Sequence, residues 1–372
     1  MESSSPKKSS LLWRILKRVF VGLILLVVVA AISGIIYQSV LNARDARRYP
    51  EEGRSIPLGP EFPGVSLNLN CTGSGSPTVI LDSGLGVPAA GWDLVQPSVA
   101  QFTRVCSYDR AGYGWSTPGL MPRTSDQIVK ELHALLTAAG EKPPYILVAH
   151  SFGGFNVRLY TAQYPNDVVG LVLVDTSHED QNNYMPPSLK AVMKNYNAEM
   201  ESQKRIFSAL LFFGVARLMA TDDISDPRVS KPFLKKINYL ELQPKFMDAT
   251  ASEMQNFEVS AQQVRSGAGT LGDRPLIVLT AGQAQDTKDL PKGVSLQEMQ
   301  DFQKLWITDL QVREKNLSTR GKQIVVPDSS HMIPLLRPDA VISAIREVYA
   351  ATQTPAPAVS TETTPPATTK AH

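Results

Sequence analysis

Ser151 lies in the stretch Pro144-Tyr145-Ile146-Leu147-Val148-Ala149-His150-Ser151-Phe152-Gly153-Gly154, and its neighbours decide what chemistry it can do. Tyr145 to Val148 is a short apolar run after two prolines, the pattern of a buried strand. The chain turns through Ala149 to Gly153 and enters Phe155 to Tyr160, which has helical character up to Pro165. A serine on so tight a strand-to-helix turn needs small neighbours, because the turn is strained and two backbone segments pass close to it. The helix that follows aims its free N–H groups at negative charge developing beside the hydroxyl. Nucleophilic attack on a carbonyl is the chemistry such a serine can do. It requires a base and donors for an oxyanion. An ordinary strand–helix turn carries the same local pattern, so the rest of the chain must separate the two readings.

A place for the donors comes earlier in the chain. Thr78 to Leu81 reads as a buried strand that runs into Asp82-Ser83-Gly84-Leu85-Gly86. A glycine-rich loop at the end of a parallel strand lets backbone approach a ligand closely. One N–H from this loop and one from the residue after the serine can hold an oxyanion, which names Leu85 and Phe152. A plain strand–loop turn is the bland alternative.

There are five histidines. His133 falls on a surface helix, His372 in the tail, and His178 just after Asp175. His150 precedes the serine and should face away from the pocket. His331 remains, in a loop after a strand, where it can reach Ser151.

The elements that would position these groups are legible. Hydrophobic residues make up 43% of the 372 residues and the net charge is +2, enough for one large core and no sign of nucleic-acid binding. Val65 to Cys71 alternates as an outer antiparallel strand does. Arg104 to Tyr108, Val168 to Val174, Pro275 to Thr280 and Lys322 to Pro327 read as further strands, with helices at Thr124/Ser125 to Ala139, Leu296 to Gln311 and Asp339 to Tyr349. Buried strands alternating with helices predict a mostly parallel sheet covered on both faces. Residues 177–270 show helical segments and no comparable strand, and so predict a cap over the strand ends, inserted before the last two strands. Its most apolar stretch, Ile206 to Ala216, could line an acyl or aromatic pocket or form the cap's own core.

The ends differ from the middle. Val19 to Tyr37 is a 19-residue run without a charged side chain, which matches a bilayer span at about 1.5 Å per residue. Lys7, Lys8, Arg14, Lys17 and Arg18 precede it, and Arg44, Arg47 and Arg48 follow. That bias favours a cytoplasmic N-terminus and an extracytoplasmic globular part on a single-pass signal anchor. A cleaved signal peptide is the competing reading. The chain divides into a stub and anchor (1–43), a linker (44–61), core (62–176), cap (177–270), core (271–351) and a Thr/Pro/Ala tail (352–372) expected to be disordered. Cys71 and Cys106 are the two cysteines; they either pair or stay as buried thiols in neighbouring strands. No Cys/His spacing suggests a metal site.

The turn Ala149-His150-Ser151-Phe152-Gly153-Gly154, the loop Asp82-Ser83-Gly84-Leu85-Gly86, the turn Asp109-Arg110-Ala111-Gly112-Tyr113-Gly114 and the late His331 stand in the order of the α/β-hydrolase fold superfamily, which the chain resembles from about residue 63 to 351. The first is similar to the nucleophile elbow G-x-S-x-G, with Ala149 in place of the first glycine. Ser83 stands where many members have histidine. The resemblance implies a serine hydrolase acting on a small-molecule ester, thioester or other acyl substrate, without a cofactor. Ser151 is the nucleophile, His331 the base, and Leu85 and Phe152 the oxyanion donors. It places the acid either after the strand Leu276 to Thr280, where Asp286 is the first carboxylate, or at the end of the preceding strand, at Asp175. The fixed strand end favours Asp175, and Asp286 stays as the alternative. Serine at the elbow argues against epoxide hydrolases and haloalkane dehalogenases, which carry aspartate there. An acyltransferase or peptidase of the same fold, or a non-catalytic binding protein, are the competing functions.

Overall fold

The computed structural model describes residues 11–219, 228–286, 288 and 290–353. The tail predicted to be disordered lies, from residue 354 on, outside the described residues. Helix α1 (Leu11–Arg48) runs unbroken past both ends of the apolar stretch and is long and apolar enough to cross a membrane. The sequence predicts a linker over residues 44–61. Instead α1 continues to Arg48, and β1 (Arg54–Pro57) pairs with the next strand. A four-residue edge strand holding one half-buried side chain carries no period a sequence pattern could reveal.

The strands β2 (Ser66–Thr72) and β3 (Thr78–Asp82) are followed by a short helix α2 (Gln96–Val99) and β4 (Val105–Tyr108). Then come α3 (Ser125–Ala139), β5 (Tyr145–His150), α4 (Gly153–Gln163) and β6 (Val168–Val174). Thr124 caps α3 by accepting the Gln127 N–H, and Gly140 closes it in the left-handed region. After the cap the chain adds β7 (Leu276–Ala281) and β8 (Gly321–Val326), the latter after an intervening helical stretch.

Among the described residues the sheet has the order β1-β2-β4-β3-β5-β6-β7-β8, antiparallel across β1, β2 and β4 and parallel across the rest. Alternate side chains of the central strands feed two cores. Tyr145, Leu147 and Ala149 of β5 join α3 and α4 on one face, while Ile146 and Val148 join the other. That two-sided burial is why β5 reads as an unbroken apolar run. Cys71 and Cys106 are register partners on β2 and β4 and form a disulfide.

Between β6 and β7 the described residues form α5 (Gln181–Tyr184), α6 (Pro187–Phe212), α7 (Val215–Met219), α8 (Lys231–Glu241), α9 (Pro244–Gln255) and α10 (Phe257–Gly267). Ala261 and Val264 of α10 pack into the same core as α3 and α4, so the last cap helix also belongs to the sheet's layer. The helical stretch after β7 comprises α11 (Leu296–Leu305), one π-helical turn Trp306–Leu310 and α12 (Gln311–Lys315). A short helix α13 (Ile333–Leu336) and the closing helix α14 (Pro338–Gln353) complete the chain's described part.

Candidate active site

Ser151 occupies the turn from β5 into α4 with φ 52°, a left-handed conformation that costs a non-glycine residue on the order of 1–3 kcal/mol. Tight packing holds it there. The Ser151 N–H donates to the Val174 carbonyl at 3.1 Å. A Cβ at Gly153 would lie 2.8 Å from the Asp82 carbonyl oxygen, and one at Gly154 would lie 2.4 Å from the Thr176 Cβ. The small residues after the serine are therefore required by the neighbouring ends of β3 and β6.

His331 lies between β8 and α13. Its Nε2 is 2.9 Å from Ser151 Oγ, and its Nδ1 is 2.6 Å from Asp175 Oδ2. A carboxylate only accepts, so Nδ1 carries the proton and the Nε2 lone pair faces the serine hydroxyl. Asp175 follows β6 at φ 44°, the other strained non-glycine position among the described residues. Its Oδ1 accepts the Ala281 N–H at 3.0 Å and the Trp306 indole N–H at 2.9 Å. Burial alone would raise this carboxyl's pKa, but the adjoining His331 and these donors hold it below the ordinary carboxylate range.

Of the two carboxylates named from sequence, only Asp175 reaches the histidine. Both ring nitrogens of His331 are occupied, by Asp175 and Ser151, and Asp286 is exposed in the loop after β7, accepting the Lys288 N–H at 3.3 Å. The Leu85 and Phe152 N–H groups make no hydrogen bond among the described residues. Leu85 lines a cavity that also contains Ser151.

Two cavities meet at the serine. One, of about 330 Å³, is lined by Met299, Phe302, Trp306 and His331. The other, of about 670 Å³, is lined by Leu85, Met185, Met193, Met254 and Phe257. Ser177, Gln181 and Met185 border both. The stretch Ile206 to Ala216 lines neither cavity, and Ile206 and Phe212 are exposed, so for these residues the sequence expectation of a pocket wall or a cap core does not hold.

Three residues supporting the site were given no supporting role from sequence. His150 does face away from both cavities, but its Nε2–H donates to the His331 carbonyl at 2.9 Å and its ring centroid lies 4.7 Å from that of His331. Burial drops its pKa to about 3, so it stays neutral. Trp306 reaches Asp175 from the π-helical turn, which interrupts the predicted Leu296–Gln311 helix. Arg110, quoted above within its turn but given no role, is buried beneath the loop of Leu85. Its guanidinium donates to the Ser83 and Gly84 carbonyls at 2.6 and 2.8 Å and to Asp82 at 3.0 Å. The Glu253 carboxylate from α9 takes it in a bidentate pair, 2.9 Å on each side.

The chain is similar to known proteins across this frame. It is 25% identical over 296 residues to an AB hydrolase superfamily protein of Gibberella zeae, covering 73% of this chain and 86% of that one. It is 29% identical over 166 residues to the uncharacterized protein YbdG of Bacillus subtilis, covering 44% of this chain and 50% of that one, so it spans about half the length of that curated relative. Among solved structures, a thermophilic esterase from Thermogutta terrifontis superposes with TM-score 0.53 at 21% identity, covering 81% of this chain and 99% of that chain. The epoxide hydrolase CorEH superposes with TM-score 0.56 at 16% identity, covering 78% and 96%. These structural likenesses carry the fold. Residues 79–344, well over half the chain and spanning Leu85, Ser151, Asp175 and His331, match the model of the alpha/beta hydrolase family, and the chain belongs to that family.

Proposed function

We propose that the protein is a serine hydrolase that cleaves a carboxylic ester or thioester through an acyl-enzyme on Ser151. The observation that carries this reading is the continuous chain from Ser151 Oγ through His331 to Asp175, with contacts of 2.9 and 2.6 Å. His331 Nε2 takes the serine proton as Oγ attacks the carbonyl carbon. The Leu85 and Phe152 N–H groups receive the oxyanion, and His331 then delivers the proton to the leaving group. Water, activated by the same nitrogen, releases the acid. Asp175 keeps the imidazole in one tautomer and stabilises its cation. Serine at the elbow, where epoxide hydrolases carry aspartate, supports acyl chemistry over epoxide opening. The two largely apolar cavities suit an acyl chain on one side of Ser151 and a leaving group on the other.

The same reading places α1 across a membrane with the globular part on the extracytoplasmic side. The basic residues before the apolar run support that orientation. So does the disulfide, since such bonds persist in oxidising compartments.

The test is turnover of a panel of p-nitrophenyl esters and acyl thioesters of increasing chain length, with mass spectrometry of the rapidly quenched protein. The expected result is an acyl adduct on Ser151 and no turnover in Ser151→Ala. Turnover that survives Ser151→Ala, or a folded wild type inert to the whole panel, would refute the reading.

A further inference from the structure

The stretch Ile206 to Ala216 has no charged residue, yet the fold leaves part of it uncovered. Leu211 and Ala216 are buried against the protein, whereas Ile206, Phe212 and Leu218 are 62%, 59% and 72% exposed. Large exposed apolar side chains at the end of α6 and on α7 mark an interaction surface.

Helix α1 says what covers it. The turn between α6 and α7 packs directly on that helix: a Cβ at Gly34 would fall 2.3 Å from the Phe213 carbonyl oxygen, and Gly214 lies against Tyr37 and Gln38. Gly34 lies inside the uncharged run that ends at Tyr37, about 4–5 Å short of its end at the α-helical rise. One turn further along, Arg217 donates to Gln38 Oε1 at 3.1 Å, to Asn42 Oδ1 at 2.6 Å and to Asp45. The cap turn thus follows the polarity of α1, with phenylalanines beside the apolar run and a guanidinium beside its polar continuation. A bilayer crossed by α1 would put Phe212 and Phe213 at the edge of its hydrocarbon and Arg217 among headgroups.

We infer that the turn Phe212–Leu218 is a membrane-seated wedge, its partner the lipid bilayer at the C-terminal end of the α1 span. It holds the cap against the membrane in a fixed orientation. This rests on the reading that α1 crosses a membrane.

The test uses the full chain in phosphatidylcholine vesicles. Cys71 and Cys106 are bonded to each other, so an introduced cysteine is the one thiol available for an environment-sensitive fluorophore. Labels go at Phe212→Cys, Leu218→Cys, Gly22→Cys within the span, and Val325→Cys on β8, at the sheet edge opposite β1. Emission is quenched either by nitroxide lipids or by a water-soluble nitroxide. The expected result is preferential lipid quenching at 212, 218 and 22, and aqueous quenching at 325. Aqueous quenching at 22 would defeat the span itself. Lipid quenching at 22 with aqueous quenching at 212 and 218 would overturn the wedge alone. Shielding of 212 and 218 from both quenchers would assign the surface to a protein partner and overturn it as well.

Discussion

Arg110 donates to the carbonyl of Gly84 at 2.8 Å, and that carbonyl belongs to the same peptide unit as the Leu85 N–H. A planar trans peptide points its C=O and N–H in opposite directions, so fixing one end aims the other. On the far side of Leu85, the Gly86 N–H donates to the Tyr113 hydroxyl at 3.1 Å, and that hydroxyl donates to Glu253 at 2.6 Å. The loop that carries Leu85 is therefore tied on both sides to a single carboxylate from cap helix α9.

Glu253→Gln should loosen this loop. Losing a well-aimed oxyanion donor costs about 10²–10³ in rate, and kcat is expected to fall toward the lower end of that range while KM changes little. Removing one partner of a buried ion pair costs about 3–5 kcal/mol, so Tm should fall too, and kcat must be measured on protein shown to be folded. A variant with lowered Tm but unchanged kcat would reduce Glu253 to a structural strut.

Trp306→Phe keeps an aromatic wall in the smaller cavity and deletes one of the donors to Asp175. A hydrogen bond to a charged group contributes about 1.5–3 kcal/mol. Part of that should appear as a drop of roughly tenfold in kcat, with the acidic limb of its pH profile displaced upward, because a carboxylate that has lost a donor holds the proton on His331 more tightly. A pH profile identical to wild type would contradict the role of the indole N–H.

Glu314 gives a pH-dependent stability. Burial pushes its carboxyl up to about 8, the nearby Arg158 only partly offsetting this. Between the unfolded value of about 4.3 and about 8, the native state keeps a proton that the unfolded state has lost. Stability should therefore fall as pH rises through that window, by at most about 1.4 kcal/mol per pH unit, and level off above it. Glu314→Gln should flatten the slope. Thermal unfolding of both proteins at stepped pH from 5 to 9 checks this, and equal slopes would contradict it.

The disulfide joins residues 35 apart in sequence. Cys71→Ser with Cys106→Ser is expected to destabilise by about 2–4 kcal/mol, read as a lower denaturant midpoint. An unchanged midpoint would show that β2 and β4 need no covalent link.

Much of this architecture is legible in the chain because its cues are local. The two-sided burial of β5 and β6 writes itself as unbroken apolar runs, and close backbone packing at Gly153 and Gly154 writes itself as a small-residue turn. What stays hidden depends on contacts far apart in sequence. Asp175 and Asp286 look alike as carboxylates after strands; they differ because one is anchored by Ala281 and Trp306, more than 100 residues away, and the other faces solvent. Glu253 is one of two acids on α9 and looks like neither a partner nor a prop until that helix folds over Arg110, 143 residues earlier. Ile206 to Ala216 reads as either a pocket lining or a cap core because nothing local says that α1 runs beside it.

The central claim is that Ser151 is an activated nucleophile, and fluorophosphonate labelling tests it most directly. The full-length protein in detergent should be labelled within minutes at one site, mapped to Ser151. Labelling should be abolished in Ser151→Ala, strongly slowed in His331→Ala and Asp175→Asn, and unchanged in Asp286→Asn. A folded wild type that resists the probe, or labels equally well without His331, would contradict the account.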